Sequence, residues 1–188
     1  IKIENAAVTA RILSANNKPL IPQTKIISVH TSPPLHGIVY WFNQKSINLF
    51  GEHLIKTIAW KEGKEITITQ GTELVKNFWN KKIGIDPSSM NIYDGSGLSP
   101  ANRITTMAMA RILQSLKKEI WFDSYFNSLP QYNNMKMKSG TISDVIAYAG
   151  YHTSVSGTPM VFSFMINNYN GSSSAIRQKM FRVLNTLK

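Results

Sequence analysis

The sequence contains no cysteine, which excludes disulfides, thiolate metal sites and a cysteine nucleophile. Acidic residues are few: 10 Asp and Glu stand against 21 Lys and Arg, a formal net charge of +11 over 188 residues. No apolar run approaches the roughly 20 residues that a membrane-spanning helix needs. Repeats and low-complexity tracts are absent. His30, His36, His53 and His152 form no His-Glu-x-x-His pair and there is no GxxxxGKS/T loop, so neither zinc-protease nor phosphate-loop chemistry is indicated. No metal or cofactor is expected. The start, Ile1-Lys2-Ile3-Glu4-Asn5, has neither an initiator Met nor a signal peptide and reads as processed or truncated.

The basic balance invites a nucleic-acid reading, which a salt-dependent DNA-binding assay would reveal. Against it, the cations are scattered: the densest groups are pairs such as Lys81-Lys82 and Lys117-Lys118, with no zinc-finger spacing and no RNP-type motif. A solvated basic surface, or one facing anionic wall polymers, accounts for the same charge. No nucleic-acid partner is expected.

What is present is a globular chain, 43% hydrophobic. Ala7 to Leu13 and Lys25 to His30 read as short strands around the Asn16-Asn17-Lys18-Pro19 turn. Leu35, Ile38, Val39 and Phe42 then recur at helical spacing up to Asn43-Gln44, and a second helix begins near Asn48, with Glu52 and Lys56 as a surface pair. A third helix opens at Gly71-Thr72 and closes at Gly84, and the turn-rich stretch from Asp86 to Asn102 reads as loop. Met109, Ile112, Leu113 and Leu116 mark another helix. Trp121, Phe122, Tyr125, Phe126 and Leu129 continue the helical spacing to Pro130, as a core stripe rather than a cofactor-stacking box. Lys136 to Ile142, Val145 to Tyr151 and Pro159 to Asn167 read as an antiparallel meander, and Ser172 to Leu187 as a helix that covers the sheet.

Two short motifs about 90 residues apart carry candidate chemistry. Ser46-Ile47-Asn48 falls at a break between helices, where an extended backbone points residues i and i+2 to one side. A hydroxyl and a carboxamide then face one cleft, although Ser and Asn also simply cap helices. Lys138-Ser139-Gly140-Thr141 lies on an expected strand. There Lys138 offers a fixed charge to a carboxylate, Ser139 a hydroxyl, Gly140 room for substrate backbone, and the next N–H a donor for an oxyanion if the strand is an edge.

In this order the motifs resemble the Ser-x-Asn and Lys-Thr/Ser-Gly elements of penicillin-recognising serine enzymes. Tyr93-Asp94-Gly95-Ser96-Gly97-Leu98-Ser99 with Asn102, Ser128-Leu129-Pro130, Ala149-Gly150-Tyr151 and Phe164-Met165-Ile166-Asn167-Asn168-Tyr169-Asn170 narrow the likeness. From about Ser32 onward the chain resembles the D-alanyl-D-alanine carboxypeptidase/endopeptidase family of low-molecular-mass penicillin-binding proteins.

The resemblance implies an α+β, β-lactamase/transpeptidase-like fold, an antiparallel sheet flanked by helices, here without its N-terminal part. Residues 1–188 would be the C-terminal portion of the penicillin-binding domain, with 1–31 the end of a preceding segment. It implies acyl transfer on peptidoglycan stem peptides ending in D-Ala-D-Ala, binding of β-lactams, and a periplasmic or cell-envelope location. Ser46 would relay a proton, Asn48 hold the substrate amide, Lys138 supply charge, Ser139 bind the substrate carboxylate, and the Thr141 N–H complete the oxyanion hole across Gly140. The Asp94 loop is family-like and is read here as a tight structural turn.

The sequence departs from the family in two places. The nucleophile's Ser-x-x-Lys should lie upstream of Ser46, but Ser14, Ser28 and Ser32 are followed three residues later by Asn17, Thr31 and Leu35. The single match, Ser115-Leu116-Lys117-Lys118, lies downstream within a helix and reads as chance. Family members also carry more residues between Leu129-Pro130 and Met135, so a loop is expected to be missing there. Two further readings follow: a catalytically inactive module that binds cell-wall peptides, and a β-lactamase or esterase using Tyr132-Asn133-Asn134 as a Tyr-x-Asn element.

Overall fold

The computed structural model describes residues 10–19 and 28–188, which fall into two compact units, 1–32 and 33–188. In the first unit, α1 (Ala10–Ala15) is a short helix. The expected strand from Ala7 to Leu13 is therefore corrected over its described part, and Ala7 to Thr9 lie outside the described residues. Ala10, Arg11 and Leu13 are good helix formers. Asn17, with φ of 52°, turns the chain left-handed, and Asn16 Nδ2 donates to the Ile12 carbonyl at 2.8 Å. Of the expected strand from Lys25 to His30, residues 28–30 are irregular and the rest lie outside the described residues.

The second unit begins with three helices, α2 (Leu35–Lys45), α3 (Asn48–Lys61) and α4 (Ile68–Ile83). α4 starts three residues before the expected Gly71 because Thr67 caps it, its hydroxyl accepting from the Gln70 N–H at 3.2 Å. Gly84, at φ 63°, ends it in the left-handed conformation that suits glycine. Residues 87–89 form a 3₁₀ turn. A two-residue ribbon, β1 (Met90–Asn91) against β2 (Arg103–Ile104), then closes the stretch expected to be loop. Two helices follow, α5 (Thr106–Leu116) and α6 (Phe122–Ser128).

The C-terminal part is an antiparallel sheet in the order β3 (Gln131–Tyr132), β4 (Met135–Ile142), β5 (Val145–Thr153), β6 (Pro159–Asn167), completed by α7 (Ser173–Leu184) and a last 3₁₀ turn at 185–187. Registers Lys138↔Ala149↔Ser163 and Met137↔Gly150↔Phe162 fix the two faces. Met135, Met137, Ile146, Tyr148 and Phe162 face Ile176, Met180 and Leu184 of α7. On the opposite face Ala149, Tyr151 and Val161 meet Leu113 and Leu116 of α5 and the aromatics Phe122, Tyr125 and Phe126 of α6. The aromatic run is thus a core stripe: Phe122 and Phe126 both stack edge-on against Tyr151, whose hydroxyl donates to the Leu113 carbonyl at 2.8 Å.

No loop interrupts the approach to β4. Asn133 and Asn134, at φ 48° and 58°, make a two-residue turn joining β3 to β4, with Tyr132 paired to Met135. Positive φ at both central positions is what a type I′ hairpin requires, and Asn tolerates it best after glycine. The residues between Pro130 and Met135 are thus fully used by β3 and this turn.

Candidate active site

α2 ends at Ser46, which takes φ 52° and ψ 50° and so turns the chain sharply before Asn48 opens α3. The tail of α2 is tied down just ahead of this turn. Asn43 Nδ2 donates to Ser128 Oγ at 2.7 Å and Gln44 Nε2 to the Ser128 carbonyl at 2.9 Å. Ser128, almost fully buried, passes its own proton to the Tyr125 carbonyl at 2.6 Å. From there the chain runs directly to the sheet: the Met137 N–H donates to the Pro130 carbonyl at 3.0 Å and Lys136 Nζ to the Leu129 carbonyl at 3.2 Å. Ser128-Leu129-Pro130 is therefore the strut that sets α2 against β4.

This strut brings together two residues 92 apart in sequence: Lys138 Nζ donates to Ser46 Oγ at 3.0 Å. The same ammonium donates to the Ser139 carbonyl at 3.1 Å. Burial lowers the Lys138 pKa below its ordinary value, because desolvation penalises the charged form. Among the described residues no carboxylate lies within ion-pair distance of it; the ion pairs there are Lys76–Glu73 and Lys82–Glu119. A desolvated cation with neutral partners only is predisposed to take an anion.

The strand around Lys138 is open on its outer side. The Met137 N–H points outward to Pro130, so strand alternation sends the N–H groups of Ser139 and Thr141 the same way, past the end of β3. A Cβ placed on Gly140 would meet no atom within 4 Å, which leaves free space over the backbone there. Side chains alternate too: Lys138 and Gly140 share the face of Ala149, while Ser139 and Thr141 lie on the α7 side. Thr141 Oγ1 accepts from Arg177 Nη2 at 3.2 Å, and the Ser139 hydroxyl has no hydrogen-bond partner among the described residues. Asn48 is exposed, its carboxamide equally unengaged.

The Asp94 loop buttresses this region from α3. Asp94 accepts from the N–H groups of Gly97 and Ser99 and from Asn102 Nδ2. Burial alone would raise its pKa, but the hydrogen bonds from Ser99, Gly97, Asn102 and Ser96 outweigh it and lower the value. Glu52, expected to pair with Lys56, instead accepts from the Ser96 N–H at 3.1 Å. Gly51 and Gly95 touch backbone to backbone, and a Cβ on either would lie 2.2 or 2.1 Å from the other's carbonyl oxygen. Tyr132-Asn133-Asn134 lies elsewhere: Asn133 Nδ2 donates to Asn185 Oδ1 at 3.0 Å, tying the hairpin to the end of α7. Ser115 is a helix residue whose hydroxyl donates to the Ile112 carbonyl at 2.7 Å.

With this geometry in place, the comparison with known proteins is specific. The D-Ala-D-Ala carboxypeptidase 3 (S13) family matches residues 2–187. The chain belongs to this family. D-alanyl-D-alanine carboxypeptidase DacB of Haemophilus influenzae is 27% identical over 178 residues, 82% of this chain and 37% of that protein. A D-alanyl-D-alanine carboxypeptidase of Actinomadura sp. is 27% identical over 168 residues, 78% of this chain and 31% of that protein. The chain thus spans about a third of the length of these relatives. The fold matches penicillin binding protein 4 of Haemophilus influenzae, crystallised with a β-lactam, at a TM-score of 0.78 and 23% identity over 90% of this chain and 45% of that one. The S13 chain accordingly has the transpeptidase-like α+β architecture that its motifs implied.

Sequence reasoning missed Arg177, Asn43, Gln44 and Glu52 as contributors to this region. Nothing local marks them: each reads as the polar face of an amphipathic helix, and only tertiary packing gives it a partner.

Proposed function

We propose that the protein is a serine-type D-alanyl-D-alanine carboxypeptidase/endopeptidase of the periplasm or cell envelope. It would act on peptidoglycan stem peptides ending in D-Ala-D-Ala through an acyl-enzyme and bind β-lactams as substrate mimics. The observation that carries this reading is the 3.0 Å hydrogen bond from Lys138 to Ser46, which unites the two motifs in one site.

In this scheme a serine oxygen attacks the carbonyl of the penultimate D-Ala, forming the ester and breaking the bond to the terminal D-Ala. Lys138 holds its own proton toward Ser46 Oγ, which leaves the Ser46 hydroxyl proton free to pass to the departing amine, while the proton released by the attacking serine is taken by the lysine beside it and returned to Ser46. Water then hydrolyses the ester. Asn48 holds the substrate amide, the outward N–H of Thr141 donates to the developing oxyanion, and Ser139 with Lys138 meets the terminal carboxylate. The open space above Gly140 accommodates the peptide along the strand edge. The nucleophile and its lysine are not assigned among residues 1–188. Ser115, the sole Ser-x-x-Lys serine, is committed to its own helix.

A second reading is a catalytically inactive module that binds cell-wall peptides. Release of D-Ala from a diacetyl-Lys-D-Ala-D-Ala peptide by the protein expressed from its own gene separates the two. The enzyme reading expects release that falls about 10- to 100-fold in Ser46→Ala, as loss of a hydrogen bond to a charged group does. Peptide binding without release would favour the inactive module.

A further inference from the structure

At the far end of the open strand edge stands a cation that the proposed chemistry does not use. Arg177 extends from the second turn of α7, and its Nη2 donates to Thr141 Oγ1 at 3.2 Å. Arg177 also reaches the ladder beside Ser139: burial raises the Tyr148 phenol pKa, and the Arg177 charge opposes that rise. Tyr148 is paired directly with Ser139. The guanidinium therefore sits at Thr141, on the same face of β4 as Ser139. A guanidinium has five N–H donors in a planar fork suited to a carboxylate.

Among the described residues no acid answers it. Asp144, in the turn just beyond β4, forms no ion pair with it, and α7 itself contains no Asp or Glu. Lys138 likewise lacks a carboxylate partner, so two cations bracket the stretch Ser139–Thr141 with no counter-charge. Ser139 Oγ, also unengaged, lies on the α7 side of the strand with Thr141.

We infer that Arg177 is a specificity-determining residue that reads the free α-carboxylate of the peptide lying along β4. This rests on the proposed peptidase reading and adds to it a preference for a chain-terminal D-Ala over an amidated or extended one. Thr141 Oγ1 positions the guanidinium, and Ser139 supplies the neutral donor to the same carboxylate. A carboxylate bound there receives a charge-assisted fork that an amide cannot accept.

The test titrates ¹⁵N-labelled protein with N-acetyl-D-alanyl-D-alanine and with its C-terminal amide. The free acid is expected to shift the Arg177 Nε–Hε and Thr141 amide signals and to bind about tenfold more tightly than the amide. Arg177→Ala should abolish that preference while affecting binding of the amide little, and Arg177→Lys should restore part of it. A merely structural role would weaken both ligands equally and shift signals throughout α7. If the wild type binds acid and amide alike, or Arg177→Ala keeps the preference, the assignment of Arg177 is overturned while the D-Ala-peptide reading stands. If neither peptide binds, that reading falls. Acetate alone then decides: a shift of the Arg177 signal, absent from its own Lys variant's spectrum, keeps the carboxylate subsite, and an unmoved signal removes it.

Discussion

Lys138 is held in a state that does not favour the fold. Its ammonium is partly desolvated and is offered neutral partners only, the Ser46 hydroxyl and the Ser139 carbonyl. A lysine whose pKa is lowered by burial binds fewer protons folded than unfolded, so its charge costs stability below the folded pKa, and the cost is relieved as pH rises through that value. Lys138→Met, which keeps the aliphatic stem, should therefore leave the melting temperature unchanged or raised at neutral pH while lowering affinity for a D-Ala-ended peptide about tenfold or more; paired calorimetric melts and peptide titrations read both effects. Asp94 shows the opposite balance. Its folded pKa is lowered, so its contribution is present above the unfolded pKa and is lost as pH falls through the folded value, beneath the ordinary carboxylate range. Asp94→Ala should cost about 1–3 kcal/mol in urea unfolding at pH 7, and the difference from wild type should shrink in acid.

At the scale of elements, the close approach of α3 and the Asp94 loop depends on two glycines. A methyl on Gly51 would lie 2.2 Å from the Gly95 carbonyl oxygen, with backbone rather than a pliable side chain in the way. Gly51→Ala should cost at least about 2 kcal/mol in the same unfolding assay, because relief requires the helix and loop to separate. The β3–β4 turn predicts the reverse sign: Asn134 at φ 58° can give way to glycine, the preferred residue at the second position of a type I′ turn, so Asn134→Gly should stabilise by a few tenths to about 1 kcal/mol. These elements also show where the sequence was readable. The helices α2, α3, α5 and α7 and the three long strands follow from periodicity sustained over two or more turns or several alternations. The strands of the ribbon from Met90 to Ile104 and β3 are two residues long, too short to carry a period; packing on Ile85, Ala108 and Ile112 holds the ribbon, and pairing with Met135 and Lys136 holds β3. α1 was misread because Val8, Ile12 and Leu13 look like strand residues when the helix that encloses two of them is only six residues long.

For the molecule as a whole, the chemistry-bearing motifs were legible because each is a short word with its residues adjacent. Their meeting was not: it depends on the strut of Asn43, Gln44, Ser128 and Pro130, whose members are ordinary polar or turn residues until α2, α6 and β4 pack. Arg177 was invisible for the same reason, being one of several cations on the polar side of α7. The central claim is that Lys138 and Ser46 form the recognition centre of a penicillin-binding acyl-transfer site. The most direct test is covalent labelling by a fluorescent penicillin of the protein expressed from its own gene, beside its Lys138→Ala and Ser115→Ala variants, each verified as folded. The account predicts labelling of the wild type, a rate about 10- to 100-fold lower in Lys138→Ala, where the charge that orients the β-lactam carboxylate is gone, and a nearly unchanged rate in Ser115→Ala. Labelling of Lys138→Ala at the wild-type rate would contradict it.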